Sequence, residues 1–257
     1  MLSRPYSFLF SISYYGARLK GWAKQPGQPT VEGKLERTFR FVLGHDDFSM
    51  IGASRTDSGV SCRLGFLQFF LREKVDLESL LPELNRSLNG EIALNSVSEI
   101  SRDFNLINSV EQKTYRYFFS DSGDFHPFAS AFLTNVPTIN SLPQMQEIAS
   151  LFVGVHDFTA FCKKSENKSD YVREVLEAKI YETDAFMRGF FPAKSYCFEV
   201  TGTGFLHHQV RKMVSAIWHL SADQVRERLT VPEGTWDQIP TAPPHGLVLW
   251  ETVLHNL

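Results

Sequence analysis

The chain is short of several things, and each shortage removes a class of reading. Its three cysteines, Cys62, Cys162 and Cys197, are odd in number and far apart. No Cys-x-x-Cys pair or Cys/His ligand spacing accompanies them, so neither a disulfide framework nor a zinc site is expected. A reducing cytoplasm suits such a set. No apolar run approaches the ~18 residues that a membrane span needs. The opening MLSRPYSFLFSIS carries an Arg ahead of apolar residues, but the run is too short for a secretory leader. Phe8, Phe10, Ile12 and Tyr14 alternate there as a strand does. A surplus of charge is missing as well. With 26 basic and 29 acidic residues the formal net charge is −3, so any polyanion has to be held by cations gathered on one face.

What is present is a 257-residue chain, 43% hydrophobic, with 22 Phe, enough for one large or two small domains. The phenylalanines read first as core. After the opening strand, YYGARLKGWAKQPGQP is a loop rich in Gly, Pro and cations. Thr30 is placed to cap a helix in which Val31, Leu35, Phe39, Val42 and Leu43 recur at helical spacing. FLQFFL (66–71) predicts a buried strand, LESLLPELNRSL (77–88) a helix and EIALNSVSEI (91–100) another strand. The second half has a similar layout. KTYRYFFS (113–120), VLEAKIYE (175–182) and SYCFEVTG (195–202) predict strands, and SLPQMQEIASLFVG (141–154) predicts a helix. FLHHQVRKMVSAIWHL (205–220) predicts a final helix with Leu206, Val210, Met213, Val214 and Ile217 on one stripe. No low-complexity linker marks a boundary. The layout divides near residue 105, into an N-terminal α+β domain over 1–105 and a C-terminal α+β domain over 106–257. The polar, cationic segment 163–173 reads as a surface loop.

The chemistry-bearing candidates are few. GASRTDSGVSC (52–62) sets Arg55 and Asp57 two apart among small residues. The Asp-Ser-Gly tripeptide occurs once, whereas an aspartic protease needs two carboxylates sharing a proton; a glycosidase needs a second acid at a defined separation. Taken alone, Asp57 reads as a turn residue. On the predicted last helix His207 and Arg211 stand four apart, and His208, Arg211 and Ser215 share a polar side. Adjacent histidines on a helix diverge by about 100°, a poor arrangement for one metal. Gly202-Thr203-Gly204 is explained by a strand-to-helix turn rather than a phosphate loop. Tyr115 reads first as core. Beside an ionised Asp it could instead offer a flat face to a base and a hydroxyl for proton transfer.

In order along the chain these segments form a pattern. SRTDSGV resembles the GRTDxGV motif of the TruA-type tRNA pseudouridine synthases. YYGARLKGWAKQPGQPTVEGKLE is similar to that family's opening YDG…GW…Q…TVQ…LE, and KTYRYFF to its RxYxY motif. LFVGVHDFTAF, with VRE following, is similar to GxHDFxxF. GTGFLHHQVRKMV resembles GFLxHMVRxxV, and TAPPHGLVLWETV resembles the ending tAPxxGLxLxxV. Six ordered matches span nearly the whole chain. Three positions depart: Tyr15 replaces an acid, Ser61 a His, and Ile107 the Arg of the stretch that here reads FNLINSV.

The resemblance implies an α+β pseudouridine synthase fold. Its two ferredoxin-like or RRM-like halves would have mainly antiparallel sheets packed together, with the active-site cleft between them. It implies isomerisation of uridine to pseudouridine in the anticodon stem-loop of tRNA, at positions 38–40, in a cytoplasmic homodimer, with no cofactor and no metal. Asp57 would be the catalytic carboxylate and Tyr115 would stack on the uracil. Arg211 would be the cation that favours the ionised acid, and Arg55 would reach the RNA backbone. Arg18, Lys20, Lys24, Lys163, Lys164 and Lys168 are the candidate phosphate contacts. A synthase acting on another RNA, or an RNA-binding relative without catalysis, is the alternative.

Overall fold

The alternation in the first apolar run becomes strand β1 (Tyr6–Tyr14), and Thr30 caps α1 (Val31–Leu43) by accepting the Gly33 N–H at 3.2 Å. These elements come from a computed structural model, which describes residues 4–165, 170–186, 188–232 and 234–255; Lys168 lies outside them. Two compact units divide the chain: Met1–Glu111 with Leu249–Leu257, and Gln112–Val248.

In the first unit α1 is followed by β2 (Phe48–Gly52), β3 (Ser61–Leu71), α2 (Leu77–Leu88) and β4 (Ile92–Ile100). The order across the sheet is β4-β1-β3-β2, each neighbour antiparallel. A β-α-β-β-α-β chain in that order is the ferredoxin-like plan. The last strand of the chain, Leu247–Leu254, also pairs with β3. On the helical face the phenylalanines make a core. Phe39 of α1 stacks on Phe69 of β3 with centroids 4.2 Å apart. Phe10 meets both rings edge-on at 5.5 and 6.1 Å, and Phe48 lies 5.1 Å from Phe69. Offset and edge-on pairs of this kind add to what area burial contributes.

The other face of β1 and β3 is covered by the FNLINSV stretch. Gln68 is 1% exposed and fully employed there. Its amide donates to Ser7 Oγ and to the Phe104 carbonyl, both at 2.9 Å, and its oxygen accepts the Leu106 N–H at 3.2 Å. A buried carboxamide satisfied on all sides fixes where this segment lies. Leu106 is buried beneath it, while Ile107 is 54% exposed.

The second unit holds β5 (Val110–Ser120), β6 (Thr134–Asn135), α3 (Leu142–Leu151), β7 (Gly154–Asp157), β8 (Val172–Glu182), β9 (Tyr196–Gly202), α4 (Gln209–His219) and α5 (Ala222–Thr230). The sheet order is β5-β9-β8-β7, antiparallel throughout, with β6 running parallel to β5. β9 lies between β5 and β8 as β3 lies between β1 and β2, so both units use the same strand–helix–hairpin device. Val210, Met213, Val214 and Ile217 form the buried stripe of α4. Trp218 on the same helix meets Tyr117 and Phe119 of β5 at 5.6 and 5.3 Å. Among the described residues no helix is long and apolar enough to cross a membrane.

Glu199 of β9 is 8% exposed and sits opposite Arg116 of β5 and Lys179 of β8 in register. It pairs with both, at 2.8 Å to Lys179. Burial pushes its carboxyl up, but the two cations outweigh burial and hold it below the ordinary value of 4.5. A carboxyl depressed in the folded state adds stability that is complete above the unfolded value and is lost as pH falls through the folded one. Glu199→Gln is therefore expected to reduce the loss of stability below pH 4.5, as read from urea midpoints at stepped pH.

Candidate active site

Asp57 follows from how two loops of the first unit close on each other. After β1 the chain makes a short 3₁₀ turn, Gly16–Arg18, and runs to α1. Backbone bonds from Lys20 to Pro29, Val31 to Gly21 and Glu32 to Trp22 tie this loop onto the helix start. The segment 53–60 lies directly against it. Trp22 N–H donates to the Thr56 carbonyl and Gly59 N–H to the Leu19 carbonyl, each at 3.1 Å.

Glycine permits this approach. Gly21 has φ 91°, and a Cβ there would stand 3.0 Å from the Thr56 oxygen and 3.2 Å from the Ser58 nitrogen. A Cβ at Gly16 would fall 2.0 Å from the Val60 oxygen. Trp22, 4% exposed, fills the space over Gly52, where a Cβ would meet its ring at 2.1 Å. Thr56 is anchored inward by a hydrogen bond between its hydroxyl and that of Tyr14, 2.8 Å long and buried. The Val60 N–H reaches back to the Asp57 carbonyl at 3.2 Å. With Thr56 held inside, Asp57 is left half-buried, and Arg55 and Ser58 are exposed. Small residues around the bend leave the carboxylate approachable.

Tyr115 and Arg211 belong to the second unit. Tyr115, 9% exposed, packs its ring edge-on against Phe205 at 5.3 Å and 86°. The last long helix begins later than the periodicity predicts. Residues 206–209 form a turn closed by the Gln209 N–H on the Leu206 carbonyl at 3.0 Å, in which His208 takes φ 64°, and α4 starts at Gln209. The physical reason is the Gln209 side chain, 1% exposed, whose oxygen accepts the Leu206 N–H at 2.8 Å and closes the turn. His207 and His208 thus precede the helix, and Ser215 is 3% exposed within the core. The shared polar face does not exist.

Arg211 is tied to the TAPPHGL segment. Its Nε donates to the Ala242 carbonyl at 2.6 Å, and the Ala242 N–H returns to the Arg211 carbonyl at 3.3 Å. Tyr117 continues the seam. Its hydroxyl donates to the Pro243 carbonyl and bonds the Thr134 hydroxyl, both at 2.8 Å. Burial pushes that phenol up, against the opposing pull of the Thr134 bond and the Arg211 charge, so it stays protonated. Burial first, and the Arg211 charge after it, push His245 down. A Cβ at Gly246 would stand 2.7 Å from the Phe118 carbonyl oxygen.

The candidate phosphate contacts divide. Arg18 lies 3.7 Å from Glu91, and Lys24 pairs with Glu36. Lys20 is exposed and forms no ion pair among the described residues. Lys163 and Lys164 line a pocket of the second unit.

A family model described as tRNA pseudouridine synthase matches residues 148–253. The tRNA pseudouridine synthase A 2 of Bacillus anthracis is 31% identical over 220 residues, covering 85% of this chain and 86% of its own length. The chain belongs to the tRNA pseudouridine synthase A family. The Thermococcus kodakarensis tRNA pseudouridine synthase A is 32% identical over 247 residues, 93% of this chain and 81% of its own. That of Bacillus pumilus is 30% identical over 254 residues, 96% and 98% of the two chains.

In this chain, sequence reasoning passed over the positioning roles of Tyr14, Gly21, Trp22 and Thr56 around Asp57, and of Tyr117 and Gln209 in the second unit. Their signals were present in the chain. Two glycines flanking a loop just before a capped helix point to close backbone approach, and Thr56 between two polar neighbours points inward. Thr56→Val leaves the buried Tyr14 hydroxyl without that partner and is expected to destabilise the protein by about 1–3 kcal/mol. Thr56→Ser should retain most of that stability. Urea unfolding of the two variants checks the pair.

Proposed function

We propose that this chain isomerises uridine to pseudouridine in tRNA, with Asp57 as the catalytic carboxylate. The observation that carries the reading is the half-exposed Asp57 on a small-residue bend whose backbone is clamped by the 19–22 loop. In the reaction the N1–C1′ bond breaks and its electron pair stays with the uracil. The ring turns, C5 bonds to C1′, C5 loses its proton and N1 gains one. Atoms and electrons balance within the nucleotide, so nothing is oxidised and no co-reactant is consumed.

Asp57 supplies the carboxylate that the cleavage step requires. Tyr115 stacks on the uracil and takes the C5 proton, and Arg211 and Arg55 bind the RNA substrate, Arg55 at its backbone. Stacking on an aromatic ring contributes about 1–3 kcal/mol, close to the few kcal/mol that unstacking one nucleotide costs. The remainder comes from contacts along the RNA. By family resemblance the targets are positions 38–40 of the anticodon stem-loop, the site of action is the cytoplasm and the working form is a homodimer. A second copy would also help a chain of net charge −3 to assemble a cationic surface.

The test is tritium release from tRNA carrying 5-tritiated uridine, since the label leaves only when C5 loses its hydrogen. Asp57→Asn is expected to keep the fold and tRNA binding while release falls at least about a thousandfold. Near-normal release would end the proposal. Tyr115→Phe keeps the ring but not the hydroxyl, and a drop of about 10²-fold or more marks proton transfer. An unchanged rate would leave Tyr115 only its stacking role. Pseudouridine mapping of tRNA from cells with and without the protein locates the modified position.

A further inference from the structure

The second unit contains a pocket of about 560 Å³ between α4, α5 and the segment that leads to Thr241, a size at which small-molecule groups are bound. Its walls carry an uneven charge. Lys163, Lys164, Lys212 and Arg228 face one acid, Asp237, among the described residues that line it. Arg228 is 7% exposed. It donates to the Asp237 backbone carbonyl at 3.0 Å and lies over the Trp236 ring at 5.3 Å. Trp236 is held in turn by its Nε1–H on the Val231 carbonyl at 2.9 Å. None of Lys163, Lys212 or Arg228 forms an ion pair among the described residues. A buried guanidinium and a half-buried ammonium beside no carboxylate partner carry a desolvation cost that an incoming anion offsets. Burial already pushes Lys212 below its ordinary value.

The pocket adjoins the anchor of Arg211. Lys212 is the next residue of α4, and Thr241 in the wall precedes Ala242, whose carbonyl holds Arg211 Nε at 2.6 Å. Lys163 is fixed at the rim by its N–H on the His207 carbonyl at 2.9 Å. We infer that this pocket takes a backbone phosphate of the RNA substrate, at a nucleotide neighbouring the one that Arg211 serves. The inference rests on the reading of the chain as a tRNA-modifying enzyme. It adds Lys212 and Arg228 to the RNA-binding surface, with Trp236 as the wall that orients the guanidinium.

The experiment measures the affinity of the purified full-length protein for a labelled, unmodified tRNA transcript over a series of salt concentrations. Lys163→Ala, Lys212→Gln and the double variant are compared with the wild type. A control, Lys194→Gln, removes an exposed charge that pairs with Glu182 instead. Removing one cation that neutralises a phosphate should flatten the dependence of log K on log salt by about 0.7–0.9. The double variant is therefore expected to bind several-fold more weakly at low salt, with a slope shallower by up to about 0.9, the share of the one phosphate, while the control keeps both. In turnover the change should appear in KM. Should Lys212→Gln fail a thermal-melt check for folding, the exposed Lys163→Ala decides alone. Unchanged affinity and slope would overturn the inference. So would variants that no longer bind inorganic phosphate, followed by ³¹P line width, yet retain tRNA affinity, since the pocket would then serve a free phosphate. Wild-type protein that binds tRNA but releases no tritium would count against the proposed function and leave this binding result standing.

Discussion

Everything around Asp57 depends on two backbones touching without side chains between them. The Leu19 carbonyl and the Trp22 N–H hold the chain on either side of Asp57, and the hydrogen bonds form only because Gly21 and Gly16 bring no Cβ into the gap. Thr56 anchors the bend inward, through Tyr14. A carboxylate on such a bend is held in place and yet stays open to an approaching molecule. Peptide groups clamp the bend, and small neighbours keep it open.

The second unit solves the same problem with other means. Arg211 is aimed by a carbonyl, that of Ala242, and this contact orients the guanidinium without cancelling its charge. The segment that carries Ala242 is itself held by Tyr117, whose hydroxyl bonds Pro243 and Thr134. One strand therefore carries both Tyr115, placed against Phe205, and the tyrosine two residues on that secures Arg211's partner. Residues two apart on a strand share a face, so the Tyr-x-Tyr spacing of KTYRYFF sets one ring against Phe205 and the next against the Pro243 carbonyl.

Much of this was readable from the residues. Alternation marks β1 and β5, and Thr30 marks the start of α1. Elements with weak local signals were not readable. β2 is five residues long and only Phe48 in it is buried, so it shows no clean period. The return of Leu249–Leu257 to the first unit is a choice of pairing partner that an apolar run leaves open. The late start of α4 is a tertiary override: a buried glutamine closes a turn through residues whose pattern suits a helix. In the first unit the types and spacing of Arg55 and Asp57 stand out in the sequence, as do those of Tyr115 and Arg211 in the second. The clamp did not, because it is made of peptide groups, which every residue has.

Charge distribution sets the two units apart. A protein with net charge −3 can hold RNA only where its cations are not already answered by its acids. In the first loop two of the three are: Glu91 stands by Arg18 and Glu36 pairs with Lys24, which leaves only Lys20 exposed and without an ion pair among the described residues. Exposed pairs of that sort contribute little to stability, but they lower the local potential that a phosphate would feel. In the second unit Lys163, Lys212 and Arg228 gather without such partners among the described residues, one of them deeply buried. Because burial reduces solvent screening, a few cations there attract a phosphate more strongly than the same number spread over the surface. The field that draws RNA is thus expected to be strongest beside the helix that carries Arg211.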